Sequence, residues 1–519
     1  MNNKSGGYVD KFFNVRPLLF FAIFIVLTIL VCSLSKSIGF WIIAAWFALL
    51  SLAFMNKRRY KDKILDFVLN SGWFKNICFG LCVLVCASFF ATNFAFSSQK
   101  DFTAEGKGEL IGVIEKHTPT TASAYMLLSS ATFNGEKIDG KITVWLYGYE
   151  NFTAETLDKV SVSVRLKKAD AEAYYINNNI KYYANVSANA VKTLGEDKSL
   201  RSVILRYSKG VLDNFLGEKE SALIYSMIFG DSSDLDQNVR EDWNIVGLAH
   251  ALAVSGMNVA LLAMFFMFIL RLFGVRFKWQ CALTALIAIF YCYLCGFAYS
   301  ILRATIMFLS FLVAKLILER NDHLSNLSFA VCVILCVMPY SIASVSFQLS
   351  VVCVFGIAVF MMPIEKFLER GVRNSGVVVK KLADFIIGPT AIYVAAMTAL
   401  FPLLLYYFGY VSVVGLFANI ILLPLISIAF VLSVLTILVW VSGFALWLFN
   451  PIITLILNAS AAFAELPFAW LEIAPPAVSM IFYYLAILSI SSIIFIKRRT
   501  RYIALSVFAL TYLAFLVII

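Results

Sequence analysis

Runs of mainly apolar residues, each near the 20 or so that cross a bilayer, recur along the chain with short polar breaks between them. The first two are "PLLFFAIFIVLTILVCS" and "IGFWIIAAWFALLSLAF". No small-residue cleavage signature follows either, so both read as retained spans rather than a signal peptide. A third, "NICFGLCVLVCASFFATNFAF", ends near residue 97, and there the pattern changes. From 98 to 200 the chain is polar, and pieces of alternating character follow one another: "GELIGVIEKH", "AYMLLSSATF", "KITVWLYGY", "KVSVSVRLKKA" and "ANVSANAVKTL". Five such pieces separated by turn signals such as "FNGEKIDG" predict a small barrel or sandwich, an OB-type barrel being one form. Beyond residue 220 the apolar runs resume. Candidate spans lie near 246–270, 279–297, 300–318, 326–340, 346–362, 384–407, 411–440, 444–464, 480–496 and 503–519. The pattern therefore predicts a polytopic α-helical membrane protein of about 11–13 transmembrane helices, with a small extracytoplasmic all-β domain inserted after the third. The expected division is 1–97 for the N-terminal helices, 98–200 for the β-rich OB-like domain and 201–519 for a multi-helix membrane domain.

Composition agrees. Of 519 residues 61% are hydrophobic and 14% charged, against roughly a quarter charged in soluble domains. The net charge of +11 does not point to a polyanion-binding surface, because residues 98–200 hold 12 Lys and Arg against 13 Asp and Glu. The excess positive charge lies in the rest of the chain, in clusters at 56–63, 271–278, 365–381 and 497–501. By the positive-inside rule all four are cytoplasmic, which puts the N-terminus inside and the β-rich domain outside.

Catalytic chemistry finds little support. Three histidines, His117, His250 and His323, are too few for a histidine-rich hydrolase site. The ten cysteines all lie in apolar segments and read as small buried hydrophobes; Cys292 and Cys295 have C-x-x-C spacing with no second pair beside them. "GEKIDGKI" has P-loop spacing, yet Ile142 replaces the required Ser or Thr and the context is a hairpin. "DSSDLDQNVREDW" fails the EF-hand template and reads as a solvated loop. No metal and no cofactor is expected.

What stands out is polar equipment inside apolar runs. "GLAHALAVSGMNVALLAMFF", read as one helix, places Gly247, His250, Val254, Ser255 and Asn258 within an arc of about 140°. Such a face suits a water-lined path, or a close helix contact through small residues. Arg303 in "SILRATIMF" costs about 2.5–3.5 kcal/mol at mid-membrane on insertion scales, and its planar fork suits phosphate; near a span end it would snorkel instead. In the outer domain Arg165, Lys167 and Lys168, with Tyr174, Tyr175, Tyr182 and Tyr183, offer phosphate contacts and stacking faces, the alternative being a solvated strand end and barrel core.

These stretches resemble a family. "IFGDSSDLDQNVREDWNIVGLAHALAVSGMNVALL" is similar to the signature of the ComEC competence proteins, and "SILRATIM", "FQLSVVCVFGI" and "FPLLLYYFGYVSVVGLFANIILLPLIS" match in order. The resemblance covers nearly the whole chain. It implies a bacterial inner-membrane channel admitting single-stranded transforming DNA to the cytoplasm, with Gly247, His250, Ser255, Gly256, Arg303, Gln348, Ser350 and Asn419 at motif positions. Asn258 departs from the pattern, standing where the family usually has a second histidine. Many members also carry a metallo-β-lactamase-like domain, whereas this sequence stops at Ile519. The expected partners are single-stranded DNA, membrane lipid, a DNA receptor on the outer face and a cytoplasmic motor or strand-capturing protein, with a separate nuclease if one strand is degraded. The alternatives are a transporter or flippase for another substrate, such as a lipid-linked saccharide, and an integral membrane transferase using His250.

Overall fold

The computed structural model describes residues 26, 106–119, 124–138, 140–147, 154, 156–168, 180–316, 322–372, 376–439, 443–473 and 477–490. The three N-terminal spans, the basic clusters at 56–63 and 497–501, the last span at 503–519, Cys32, Cys78, Cys82 and Cys86, and Tyr174 and Tyr175 lie outside the described residues.

Alternating apolar and polar residues build a sheet from β1 (Gly106–Pro119), β2 (Ala124–Phe133), the short β3 (Glu136–Lys137), β4 (Lys141–Tyr147), β5 (Asp158–Lys168), β6 (Ile180–Ser187) and β7 (Val191–Glu196). Five of these strands close on themselves. β1 pairs with β2, β2 with β4, β4 with β6 in parallel, β6 with β5, and β5 returns to β1. That closed five-stranded Greek-key path is the OB barrel. Closure removes the free edges that such short strands would otherwise expose. Period-two alternation fills the interior with Leu110, Ile114, Met126, Leu128, Ile142, Leu146 and Tyr182. The "GEKIDGKI" stretch runs from the β2–β3 turn, where Gly135 sits at φ +86°, through β3 to the start of β4.

Helices follow: α1 (Leu200–Phe215), α2 (Glu218–Phe229), α3 (Gln237–Ile245), α4 (Ala249–Leu252), α5 (Gly256–Leu272), α6 (Phe277–Leu294), α7 (Tyr299–Leu316), α8 (His323–Val337), α9 (Val345–Val372) and α10 (Val377–Phe408). After β8 (Tyr410–Ser412) come α11 (Gly415–Leu438), α12 (Gly443–Ala464), β9 (Trp470–Glu472) and α13 (Ala477–Ile490). Among the described residues six helices are long and apolar enough to cross a membrane: α6, α7, α9, the Ile386–Phe408 part of α10, α11 and α12. The protein is a multi-pass membrane protein. Many large apolar side chains, including Phe268, Trp279, Leu286 and Phe417, face outward from the bundle, as lipid-facing residues do.

Two predicted spans are drawn differently. The 246–270 span is not one helix: α4 ends at Leu252, Ala253 and Ser255 are extended, and α5 starts only at Gly256. The 100° projection therefore does not hold across residues 247–258. The start of the 411–440 span is strand, because Gly409 ends α10 at φ +76° and β8 then pairs antiparallel with β9, joining two loops.

Barrel and bundle meet through α1 and the loop after α2. Ser199 caps α1, its side chain accepting from the Ser202 amide at 3.3 Å. Arg206 donates to Leu157 O at 2.9 Å and Arg201 to Leu294 O at 3.0 Å, one bond to the barrel side and one to α6. Ser233 Oγ donates to His117 O at 3.1 Å. Burial pushes the His117 imidazole below its ordinary range, while Asp231 and Asp234 push the other way.

Candidate functional site

The stretch between α3 and α5 is a broken helix held from several sides. Gly247 sits at φ +77°, in the left-handed region that favours glycine. A Cβ there would stand 3.1 Å from Ser412 Cβ and 3.7 Å from the Gly415 backbone, so the turn before α4 lies against the β8–α11 corner. Four residues of α4 follow, then the extended stretch ending at Ser255. Interrupted helices inside a membrane bundle line cavities or contact other protein elements, since exposed backbone in lipid is costly.

The C-terminal end of α2 is gripped by side chains from this segment and from α6. Gly230 N donates to Ser226 O at 2.7 Å, Asn258 Nδ2 to Met227 O at 2.7 Å, and Tyr291 Oη to Ile228 O at 2.7 Å. Cys295 Sγ approaches the same Ile228 carbonyl at 3.6 Å. Three of the four carbonyls that a helix end leaves free are thus satisfied locally. Asn258 also accepts from Ser255 Oγ at 3.2 Å.

Arg303 projects from the fifth position of α7 and is 5% exposed. One guanidinium nitrogen, Nη1, donates to Ser350 O of α9 at 2.8 Å. Nη2 lies 3.5 Å from where a Gly256 Cβ would be. Arg303 Nε and Ser350 Oγ are buried without a hydrogen-bond partner among the described residues.

The sequence-selected residues thus fall into separate groups. Ser255, Gly256, Arg303 and Ser350 come together, with Asn258 adjoining through Ser255. Gly247 meets Ser412 and Gly415, and Asn419 Nδ2 donates within its own helix to Gly415 O at 2.6 Å. Gln348 engages elsewhere, donating to Ile342 O at 2.8 Å and accepting from Tyr407 Oη at 2.7 Å. His250 is exposed, its Nδ1 3.1 Å from Gly247 O. Tyr291, Tyr407 and Ser412 escaped the sequence reading. Tyr291 stands within "YCYLCGF", where the cysteine spacing drew notice instead. Among the described residues no group of three or more His, Cys, Asp or Glu could hold a metal ion.

On the barrel, Tyr182 is fully buried, so its ring is core and not an outer stacking face. Alternation along β6 puts its neighbour Tyr183 on the outer side, opposite Lys167 of β5. Arg165 and Lys167 are exposed, and Arg165 stands directly opposite Lys107 of β1. The described Lys168 backbone pairs with Tyr182. Across β2 and β4, Tyr125 and Trp145 are register partners whose ring centroids lie 5.4 Å apart.

The family described as Competence protein matches residues 227–500, more than half of the 519-residue chain. The chain belongs to the competence protein family. The match begins at Met227, whose carbonyl Asn258 holds, and runs to the far side of α13. A curated relative, ComE operon protein 3 of Bacillus subtilis (strain 168), is 22% identical over 307 residues, which cover 59% of this chain and 35% of the relative. The chain therefore spans about a third of that relative's length. No solved structure matches.

Proposed function

We propose that this competence-family protein is an inner-membrane channel through which single-stranded DNA enters the cytoplasm during natural transformation. The observation that carries this reading is the family match over residues 227–500, which takes in the whole stretch of broken helix and the buried arginine. The division is the one given by the chain pattern: helices to residue 97, the OB-like domain over 98–200 outside the membrane, and the channel domain over 201–519. The N-terminus lies inside, a reading supported by the basic loops. Along the strand's path we place Gly247, His250, Ser255, Gly256, Asn258, Arg303, Gln348, Ser350 and Asn419, in the separate groups described above.

The barrel is the first contact. OB domains take oligonucleotides on the face of their second and third strands, here β2 and β4, where Tyr125 and Trp145 stand side by side. Base stacking on such rings contributes about 1–3 kcal/mol per base. Like charges directly opposite on neighbouring strands repel, and a phosphate between Lys107 and Arg165 relieves that repulsion.

An inside-negative potential opposes a polyanion by about 2.3 kcal/mol per charge per 100 mV. Transport accordingly needs a cytoplasmic motor or strand-capturing protein, and a DNA receptor on the outer face is the expected partner there. The test is complementation. In a transformable strain deleted for its own competence channel, this chain should restore entry of fluorescent DNA into the cytoplasm and the yield of transformants. Correctly inserted protein that restores neither would overturn the reading, and altered handling of lipid-linked saccharides in the same cells would favour a flippase.

A further inference from the structure

The N-terminus of α5 carries an unanswered concentration of positive charge. Its first residues, Gly256 and Met257, present backbone N–H groups that have no hydrogen-bond acceptor among the described residues. A capping side chain ordinarily accepts such a bond. Ser255 stands at the cap with its hydroxyl turned to donate to Asn258 Oδ1 at 3.2 Å, and its oxygen accepts no cap bond from α5. The positive end of the helix dipole therefore stays open.

A second positive group faces the same place. The guanidinium of Arg303, 5% exposed, has Nη2 3.5 Å from the Gly256 Cβ position and Nε without a partner. Its one bond is to a neutral acceptor, Ser350 O. The ion pairs among the described residues are Lys141 with Glu115, Arg206 with Glu196, Lys209 with Asp234 and Lys219 with Asp236, so no carboxylate answers Arg303. A buried cation set against the positive end of a helix is doubly unfavourable unless an anion joins them. A Cβ at Gly256 would stand 3.4 Å from Ala304 Cβ and 3.5 Å from Arg303 Nη2, so an oxygen that reaches the two free amides also lies beside the guanidinium.

We propose that the α5 N-terminus, Arg303 and the unpartnered Ser350 hydroxyl together form a binding site for one phosphate-class oxyanion. Backbone amides of Gly256 and Met257 would donate from one side and the arginine fork from another, with Ser350 Oγ as a further donor. The site stands on this geometry alone; only its assignment to a phosphodiester of passing DNA rests on the uptake reading.

The experiment uses the full chain in a maltoside detergent that carries no phosphate, and follows thermal unfolding. Three probes are added separately: inorganic phosphate, a single-stranded oligonucleotide, and a phosphatidylglycerol. Saturable stabilisation by inorganic phosphate is expected for the wild type. Arg303→Gln should weaken it about tenfold or more, the loss typical of one charge-assisted hydrogen bond. Stabilisation by the oligonucleotide through the same residue assigns the site to the strand, and by the lipid alone to a headgroup. Should Arg303→Gln fail to fold, Ser255→Asp decides: a carboxylate supplied at the cap should raise stability without added anion and abolish the response to phosphate. A phosphate response that is missing in the wild type, or unchanged in Ser255→Asp, overturns the site. Loss of DNA uptake as a function, with phosphate binding intact, would overturn the channel reading and leave the site standing.

Discussion

Tyr291→Phe deletes one oxygen and leaves the ring in place. That oxygen donates to Ile228 O at 2.7 Å, beside the bond from Asn258 Nδ2 to Met227 O at 2.7 Å. Both donors are buried, Tyr291 to 5% and Asn258 to 2% exposure, so water does not replace them freely. Leaving a buried carbonyl unsatisfied costs about 1–3 kcal/mol, whereas hydrogen bonds between membrane helices average about 0.6 and reach about 1.7 kcal/mol. For Tyr291→Phe the lower part of the joint range applies, about 1 kcal/mol, because Cys295 Sγ remains 3.6 Å from the same carbonyl. Asn258→Ala should cost more, about 2 kcal/mol, since Met227 O has no substitute donor among the described residues and Ser255 loses its acceptor too. The two carbonyls are consecutive on one helix end, so the double variant should depart from additivity by about 0.5 kcal/mol or more. Denaturant unfolding of the purified protein in detergent, run as a double-mutant cycle, measures all three quantities. Single variants both within roughly 0.3 kcal/mol of wild type would refute the idea that these side chains hold the end of α2.

His117 has a lowered pKa through burial, so the unfolded or undocked state binds more protons and stability rises with pH; the barrel-to-loop contact should loosen as pH falls below 6.5, seen as lower hydrogen-exchange protection factors over 231–236 after correction for the intrinsic rate, and His117→Gln should flatten that dependence. Gly356→Ala puts a Cβ 2.5 Å from Ala399 Cβ and 2.8 Å from Ala395 O, forcing α9 and α10 apart at a cost of about 1–3 kcal/mol; an unshifted melting temperature would contradict this packing. Gly247→Ala adds left-handed strain of about 1–2 kcal/mol to its contact with Ser412. Ser412→Gly should recover the contact component in a thermal melt and leave the strain.

The sequence by itself determined what local chemistry controls. Apolar runs long enough to span a bilayer located the helices α6, α7, α9, α10, α11 and α12, since no other backbone arrangement hides its amides within one segment. Alternation with turn residues located β1, β2, β4 and β5, while "ANVSANAVKTL" ran together the end of β6 and β7; the order of four motifs pointed to the family. Only the tertiary structure decided the rest. The break at 253–255 lies in an apolar stretch with no proline, and it is stabilised by distant groups: Met227 O accepting from Asn258 and the Ser412 corner against Gly247. Tyr182 and Tyr183 are neighbours of one kind in the sequence, and the closing of β6 between β4 and β5 sends one ring into the core and the other outward. The β8–β9 pairing joins loops some sixty residues apart, beyond the reach of any local pattern. Arg303 was legible as an expensive residue, but its neighbours were not. That Ser350 O takes one of its nitrogens, that Gly256 opens beside another and that no carboxylate among the described residues answers it are consequences of three helices meeting. Propensity and periodicity act over a few residues, whereas a buried charge is set by whatever the fold brings within a few ångströms of it.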